Sequence, residues 1–459
     1  MINNKESNNK LTTNNSDTKV NSANDLDRNV TQINGPINVV RMEGNVGSIK
    51  KVIFLFMDIH VNISDQTQCT NIYAKDVDQY FADNFYNLNS GTKMYDFFLE
   101  IRPTDIYRLK QWNKNKQIYI QQMALLFSTI LSYDKNKNKV NVSELLKNIR
   151  LHYLDIRDYL YFHIDKFIEQ ANNISYQMLC QTPSMSFIDQ SYLSEIIDNL
   201  TNAKQQLDLT IDLLIKPENI VDRSVAKDDQ PSSQLGNYKE PLIKDIELTN
   251  NKEFAEFIPS IVSRTAYKLI NLYNHPHIKK LMNKLLNDLI NNFKKLSNDI
   301  GFTIAELKNY QKTITNVDSY RELTIDNAFD TKYKYTSLTK LRHMIINIID
   351  MCDKISFITL KVFARFTDIY FLRRFLDKDY ITNAIVYSGA SHSLNYIEIL
   401  IKYLDFKITH VAYSSINNIE DLMKETKSRL NQKKDLMDLF EPSELIQCSN
   451  ISYFPKNFE

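Results

Sequence analysis

The stretch that decides the fold is Lys51-Val52-Ile53-Phe54-Leu55-Phe56-Met57, followed at once by Asp58-Ile59-His60. A strand with one face in water alternates apolar and polar residues; this run is apolar almost without a break. That pattern predicts a strand covered on both faces, as in a parallel sheet flanked by helices. Such strands open at their carboxyl ends into clefts, so Asp58 and His60 fall where a ligand would be met.

Working outward, Tyr95-Asp96-Phe97-Phe98-Leu99-Glu100-Ile101 reads as a second buried strand, closed by Arg102-Pro103. Between the two, Val77, Tyr80, Phe81 and Phe85 fall at helical spacing. Upstream, Val39 to Met42 forms a short strand before a turn marked by Gly44 and Gly47. Downstream, Ser143 suits the cap of a helical turn, and Asn148 to Asp158 alternates as a strand does. Strands alternating with helices define an α/β fold with a mostly parallel sheet covered by helices.

From Tyr159 to Phe375 the helical period dominates, as at Leu281, Leu285, Leu286 and Leu289, broken by a polar stretch from Val221 to Tyr238. This predicts a large, mainly helical insertion. The α/β pattern returns at Asn383-Ala384-Ile385-Val386-Tyr387, then the turn Ser388-Gly389-Ala390-Ser391-His392-Ser393, then a helix and a strand over Phe406 to Val411. The expected organisation is a polar tail over 1–31, an α/β part over 32–158, the insertion over 159–375, a second α/β part over 376–425, and a C-terminal extension over 426–459 that turns irregular after Pro442.

The chain has 459 residues, with 56 Lys and Arg against 55 Asp and Glu. That balance gives no long-range field for nucleic acid, and no nucleic-acid partner is expected. No stretch reaches the roughly 18 apolar residues that suggest a membrane span. Cys69, Cys180, Cys352 and Cys448 are too dispersed for a zinc spacing or a disulfide framework, which predicts a protein kept in a reducing compartment.

Four segments deliver polar residues to one edge. Asp58 and His60 end the first strand and Glu100 the second; His152, Asp155, Arg157 and Asp158 line a third; Gly389 and His392 open the turn after a fourth. Gly389 supplies either a positive φ or a close backbone approach, and puts His392 near a helix N-terminus, where the dipole discourages protonation of an imidazole. Two neutral histidines and a carboxylate, His60, His392 and Glu100, suit a divalent metal such as Mn, Co or Zn with a bound water. Arg157 suits a substrate carboxylate, phosphate or oxyanion. Asp58, His60, Glu100, Arg157 and His392 are therefore the catalytic candidates, with His152, Asp155, Gly389 and Asn395 as substrate-binding candidates for a small molecule or peptide. Each has a plainer alternative: Asp155, Arg157 and Asp158 as a bracing ion pair, His275 and His277 as a solvated turn, and Asp368 with Arg373 or Arg374 as an exposed pair or as support for the site.

Met57-Asp58-Ile59-His60 and Gly389-Ala390-Ser391-His392, with Glu100 and an Arg between them, resemble the two GxxH motifs, Glu and Arg of the Tiki, TraB, ChaN and erythromycin-esterase superfamily. The second motif matches in full; Met57 stands in place of the first glycine. The resemblance implies an α/β scaffold with helical insertions and a hydrolase-like, sometimes metal-dependent, site. The segments FLFMDIH, YDFFLEI, RLHYLDIRDY and YSGASHSLNY also resemble proteins of mimivirus-type giant DNA viruses, which implies expression in a viral factory in the host cytoplasm and packaging in the virion. Two functions compete on these grounds. One is a hydrolase-like enzyme; the other is a non-catalytic virion or host-interaction protein that keeps the sheet as a scaffold.

Overall fold

The computed structural model describes residues 31–101, 118–134, 139–142, 146–156, 190–216, 265–315, 332–444 and 446–459. Its elements run β1 (Gln32–Asn34), β2 (Asn38–Val46), β3 (Ile49–Asp58), β4 (Lys75–Asp76), α1 (Val77–Leu88), β5 (Tyr95–Leu99), α2 (Tyr119–Ile130), β6 (Leu131–Asp134), β7 (Lys139–Val142) and β8 (Ile149–Tyr153). They continue with α3 (Gln190–Ile215), α4 (Pro276–Thr315), α5 (Lys332–Asp377), β9 (Asn383–Gly389), α6 (Ala390–Leu404), β10 (Lys407–Val411), α7 (Ile419–Asn431), α8 (Met437–Phe440) and β11 (Cys448–Asn450).

Six strands form the main sheet in the order β10-β2-β3-β9-β5-β8. Strands β3, β9, β5 and β8 are parallel, and β2 alone runs against its neighbours. This is the α/β fold expected, with a mostly parallel sheet. The apolar run of β3 is buried on both faces for the reason its sequence suggests: its side chains alternate between two cores. Ile53, Leu55 and Met57 join the core built with α3, α4, α5 and α6. Val52, Phe54 and Phe56 join the opposite core with Phe81 and Phe85 of α1 and Met123 and Phe127 of α2.

Register brings the carboxyl ends of the parallel strands level. Asp58 pairs with Gly389 across β3 and β9, while Leu99 faces Tyr387 on one side and Tyr153 on the other. The Glu100 N–H then donates to the Tyr387 carbonyl at 3.0 Å, which fixes where β5 leaves the sheet. Helix α5 ends at Asp377, beside the start of β9, so it runs back along the sheet and its earlier residues lie towards the carboxyl edge.

The chain after Pro442 is more ordered than its composition suggests. Strand β11 pairs antiparallel with β1, and β4 pairs with β1 on the other side, giving a small three-stranded sheet. Phe458 is buried among Phe54, Phe56, Phe81 and Phe85. Cys69 and Cys448 form a disulfide between residues 379 apart in sequence. Sequence spacing had argued against disulfides; the bridge arises because β11 folds back beside the loop after β3, a proximity that spacing does not encode. Among the described residues, no helix is long and apolar enough to cross a membrane.

Candidate functional site

Helix α6 begins at Ala390 with Gly389 as its cap residue, and Gly389 has no side chain to accept the free backbone N–H groups. Glu100 takes that role from the neighbouring strand: Gly389 N–H donates to its Oε2 at 2.7 Å. The positive end of the helix thus already faces an anion, which belongs to the protein.

Two histidines meet the same carboxylate. His392 Nε2 lies 3.0 Å from Glu100 Oε1, and His60 Nε2 lies 3.5 Å from Glu100 Oε2. Each ring is held from behind. His392 Nδ1 donates to Asp368 Oδ1 at 2.6 Å, and His60 Nδ1 donates to Asp58 Oδ2 at 3.0 Å. Amides close both ends of the chain: Asn395 donates to Asp368 Oδ2 at 2.7 Å, and Gln447 donates to Asp58 Oδ1 at 3.1 Å. The result is a line of carboxylate, imidazole, carboxylate, imidazole and carboxylate across the edge of the sheet. It is sealed except at one point: the His60 side chain is 37% exposed, against 4% for Glu100 and 6% for His392.

Charge follows from this geometry. For His60, burial alone lowers the imidazole pKa, but hydrogen bonds and attraction from Asp58 and Glu100 outweigh it and push it up to about 10. For His392, burial acts the same way and Glu100 with Asp368 again win, raising it to about 10. Glu100 has the converse balance: burial favours its neutral form, yet the two imidazoles hold its pKa well below the ordinary carboxylate range. Burial raises the pKa of Asp58, and the hydrogen bond from His60 offsets part of that rise. The expectation that the helix dipole would keep His392 neutral is therefore corrected. Two carboxylates in contact outweigh a helix terminus whose field already falls on Glu100.

The metal set expected of His60, Glu100 and His392 is also revised. The three side chains do meet, but each inward nitrogen points at a Glu100 oxygen and each outer one at an aspartate. Among the described residues, no group of three His, Cys, Asp or Glu side chains is set out to hold a metal ion. The residues present suit proton transfer, and no metal step is derived from them.

The other sequence candidates divide. Gly389 lies at the centre, and with φ of −55° its role is close approach: a Cβ there would sit 3.4 Å from both Glu100 Oε2 and His60 Nε2. Asn395 reaches the site through Asp368. His152 does not join it; its Nε2 bonds Asp96 Oδ1 at 2.7 Å and its ring stacks on Phe98. Asp155 is buried just beyond β8. Arg157 and Asp158 lie outside the described residues. His275 pairs with Asp379 beside the turn into α4.

Sequence reading left Asp368 undecided and missed Gln447. Asp368 carried a signal: it falls three residues before Phe371 and seven before Phe375, on the apolar stripe that packs towards Phe98, Tyr396 and Phe406. A charge on such a stripe needs a buried partner. Gln447 carried none, because only the β11 pairing brings it to Asp58.

Fold and site together describe an α/β protein with a buried acid–base chain at the carboxyl edge of its sheet. Residues 31–459 match the family described as "Family of unknown function (DUF5847)", and the chain belongs to it. It is 39% identical over 442 residues to "Uncharacterized protein R706" of Acanthamoeba polyphaga mimivirus, covering 95% of this chain and 98% of the relative. It is 35% identical to "Uncharacterized protein R161" of the same virus, covering 95% and 99%. A shorter relative, "Uncharacterized protein R129", is 36% identical and matches 36% of this chain with 96% of its own length. No solved structure gives a significant match.

Proposed function

We propose that the chain of Asp58, His60, Glu100, His392 and Asp368 is a hydrolase-like acid–base site, with His60 as the residue that meets substrate. The observation that carries this reading is the single opening at His60 in an otherwise buried row of charges. A bracing network gains nothing from such an opening, whereas an acid or base must be reached. Asp58 fixes the ring from Nδ1 and leaves Nε2 as the working atom.

The contact of His60 Nε2 with Glu100 is the longest in the row, at 3.5 Å, and Gly389 leaves space beside it. A carbonyl oxygen entering there accepts a hydrogen bond from protonated His60, and a water beside it donates to Glu100. Polarising the carbonyl while ordering water is the chemistry of ester or amide hydrolysis. His392 and Asp368 keep Glu100 in place and charged.

The test is hydrolysis of a panel of chromogenic carboxylic esters and short peptides by purified protein and by His60→Gln. Loss of a proton-transfer group of this kind costs about 10²- to 10⁴-fold in rate. Turnover that survives His60→Gln undiminished, or no turnover of any substrate by the unaltered protein, would sink the reading. Turnover that appears only after adding Mn, Co or Zn would replace it with a metal-dependent one.

A further inference from the structure

We propose that Gln447 is a positioning residue for the Asp58–His60 pair, and that the Cys69–Cys448 disulfide holds it there, so that the site's readiness follows the thiol redox state. The inference rests on the acid–base reading of that site and adds its regulation.

Gln447 is fully buried, and its side-chain amide donates twice: to Asp58 Oδ1 at 3.1 Å and to the Ile59 carbonyl at 3.1 Å. Both partners are acceptors, so the NH₂ end must face them. Its Oε1 is buried with no hydrogen-bond partner among the described residues. An amide kept at that desolvation cost is kept for its donors. By occupying Oδ1, Gln447 leaves Oδ2 of Asp58 for His60; by holding Ile59 it fixes the backbone one residue before His60.

The disulfide acts on the same few residues. Cys448 directly follows Gln447, and Cys69 closes the loop that carries His60 away from β3. Between bridge and site the two segments are joined by an isolated pairing of Thr67 with Ile446 and by Gln447 N–H donating to Thr67 O at 2.9 Å. On the far side, Gly35 N–H donates to Gln447 O at 3.1 Å. Asn34 of β1 also reaches both segments, pairing with Cys448 and accepting from Cys69 N–H at 2.9 Å, and the bridge adds the covalent tie between the loop and the C-terminal segment. Both cysteines are partly exposed residues. Reduction by a dithiol breaks the S–S bond, leaves Cys69 and Cys448 as thiols, and converts the dithiol to its own disulfide.

The charged and titratable groups facing Asp58 are His60, Glu100 and the tyrosines Tyr387 and Tyr119; those facing His60 are Asp58 and Glu100. Gln447 is an amide donor among them; without it Asp58 Oδ1 and the Ile59 carbonyl lose the contact that fixes them, the Asp58 carboxylate can turn away from His60, and its hold on the His60 proton weakens. The His60 midpoint should then fall.

The experiment follows the imidazole resonances of the full chain by NMR across pH, without substrate. Protein with the bridge intact, protein treated with dithiothreitol, Cys448→Ser and Gln447→Met are compared. Gln447→Met, which keeps the shape and the bridge, should lower the His60 midpoint by about one pH unit or more and leave His392 unmoved. Reduction and Cys448→Ser should move His60 the same way. A His60 midpoint unchanged in folded Gln447→Met overturns the positioning role; a shift in Gln447→Met with none on reduction overturns the redox control. Because no turnover is read, failure of hydrolysis leaves this test standing, and failure of this test leaves the hydrolase reading standing.

Discussion

Strand β5 and the residue that directly follows it supply two buried carboxylates, Asp96 and Glu100, and the histidines they meet end in different charge states. Glu100 lies between His60 and His392, both raised to about 10. Asp96 accepts Arg150 Nε at 2.8 Å, Arg150 Nη2 at 2.6 Å and His152 Nε2 at 2.7 Å. There burial lowers the His152 pKa, the charges of Arg374 and Arg150 lower it further, and Asp96 recovers only part, leaving about 4. The four residue steps from Asp96 to Glu100 span roughly 13 Å of extended chain. Over that distance the imidazole changes from one wedged between carboxylates to one sharing its carboxylate with guanidinium. The neighbours' charge, not burial, sets the state: His392 and His152 are both largely buried, at 6% and 12% side-chain exposure, yet one is raised and the other lowered. One cluster has an open imidazole and the other does not.

The largest expected effect breaks the closed cluster. Asp96→Ala strands Arg150 and His152 without their acceptor and should cost about 3 kcal/mol of stability, read from the urea midpoint. A cost no greater than that of an exposed substitution would show that the Asp96 cluster does not brace β5 against β8.

Next comes pH, with opposite signs for the two clusters. His152 is depressed, so the unfolded chain binds its proton first. Stability should fall as pH drops from about 6.5 to about 4, by roughly 3 kcal/mol. His60 and His392 are raised, so their contribution is complete below about 6.5 and is lost as pH rises towards 10. Glu100 is depressed, so its contribution is lost as pH falls through its low folded value. Urea midpoints from pH 4 to 10 should show His152→Gln flattening the acid side and His392→Gln the alkaline side. Flattening on the wrong sides would reverse the charge assignments.

The same contrast explains what sequence could convey. Runs such as Val52 to Met57 and Tyr95 to Leu99 specify buried strands because burial on both faces leaves a mark on every residue. Polar residues at their ends are therefore legible as strand-end groups, and His60, Glu100 and His392 do meet. The strand bearing His152 was legible too, but not that Asp96, inside an apolar run, would draw its ring inward and away from the edge. Partners fixed by tertiary register, such as Gln447 and Asp96, leave no periodic trace, and neither does the charge state they impose.

The smallest expected change in stability is also the sharpest comparison, between two glycines. At Gly44 a Cβ would lie 2.3–2.7 Å from ring carbons of Phe406, which is buried in the core. Gly44→Ala must displace a core ring and should cost about 1–3 kcal/mol. At Gly389 the backbone, with φ of −55°, suits any residue, and the nearest atoms stand at 3.4 Å. Gly389→Ala should stay within about 1 kcal/mol of the unaltered protein in urea unfolding. Yet its methyl would fill the space beside His60 Nε2 and Glu100 Oε2, where the proposed substrate carbonyl enters. Hydrolysis and the access of small molecules to His60 should both fall while the fold persists. If Gly389→Ala unfolds as readily as Gly44→Ala, the glycine serves packing; if it folds and leaves His60 as reachable as before, the opening lies elsewhere.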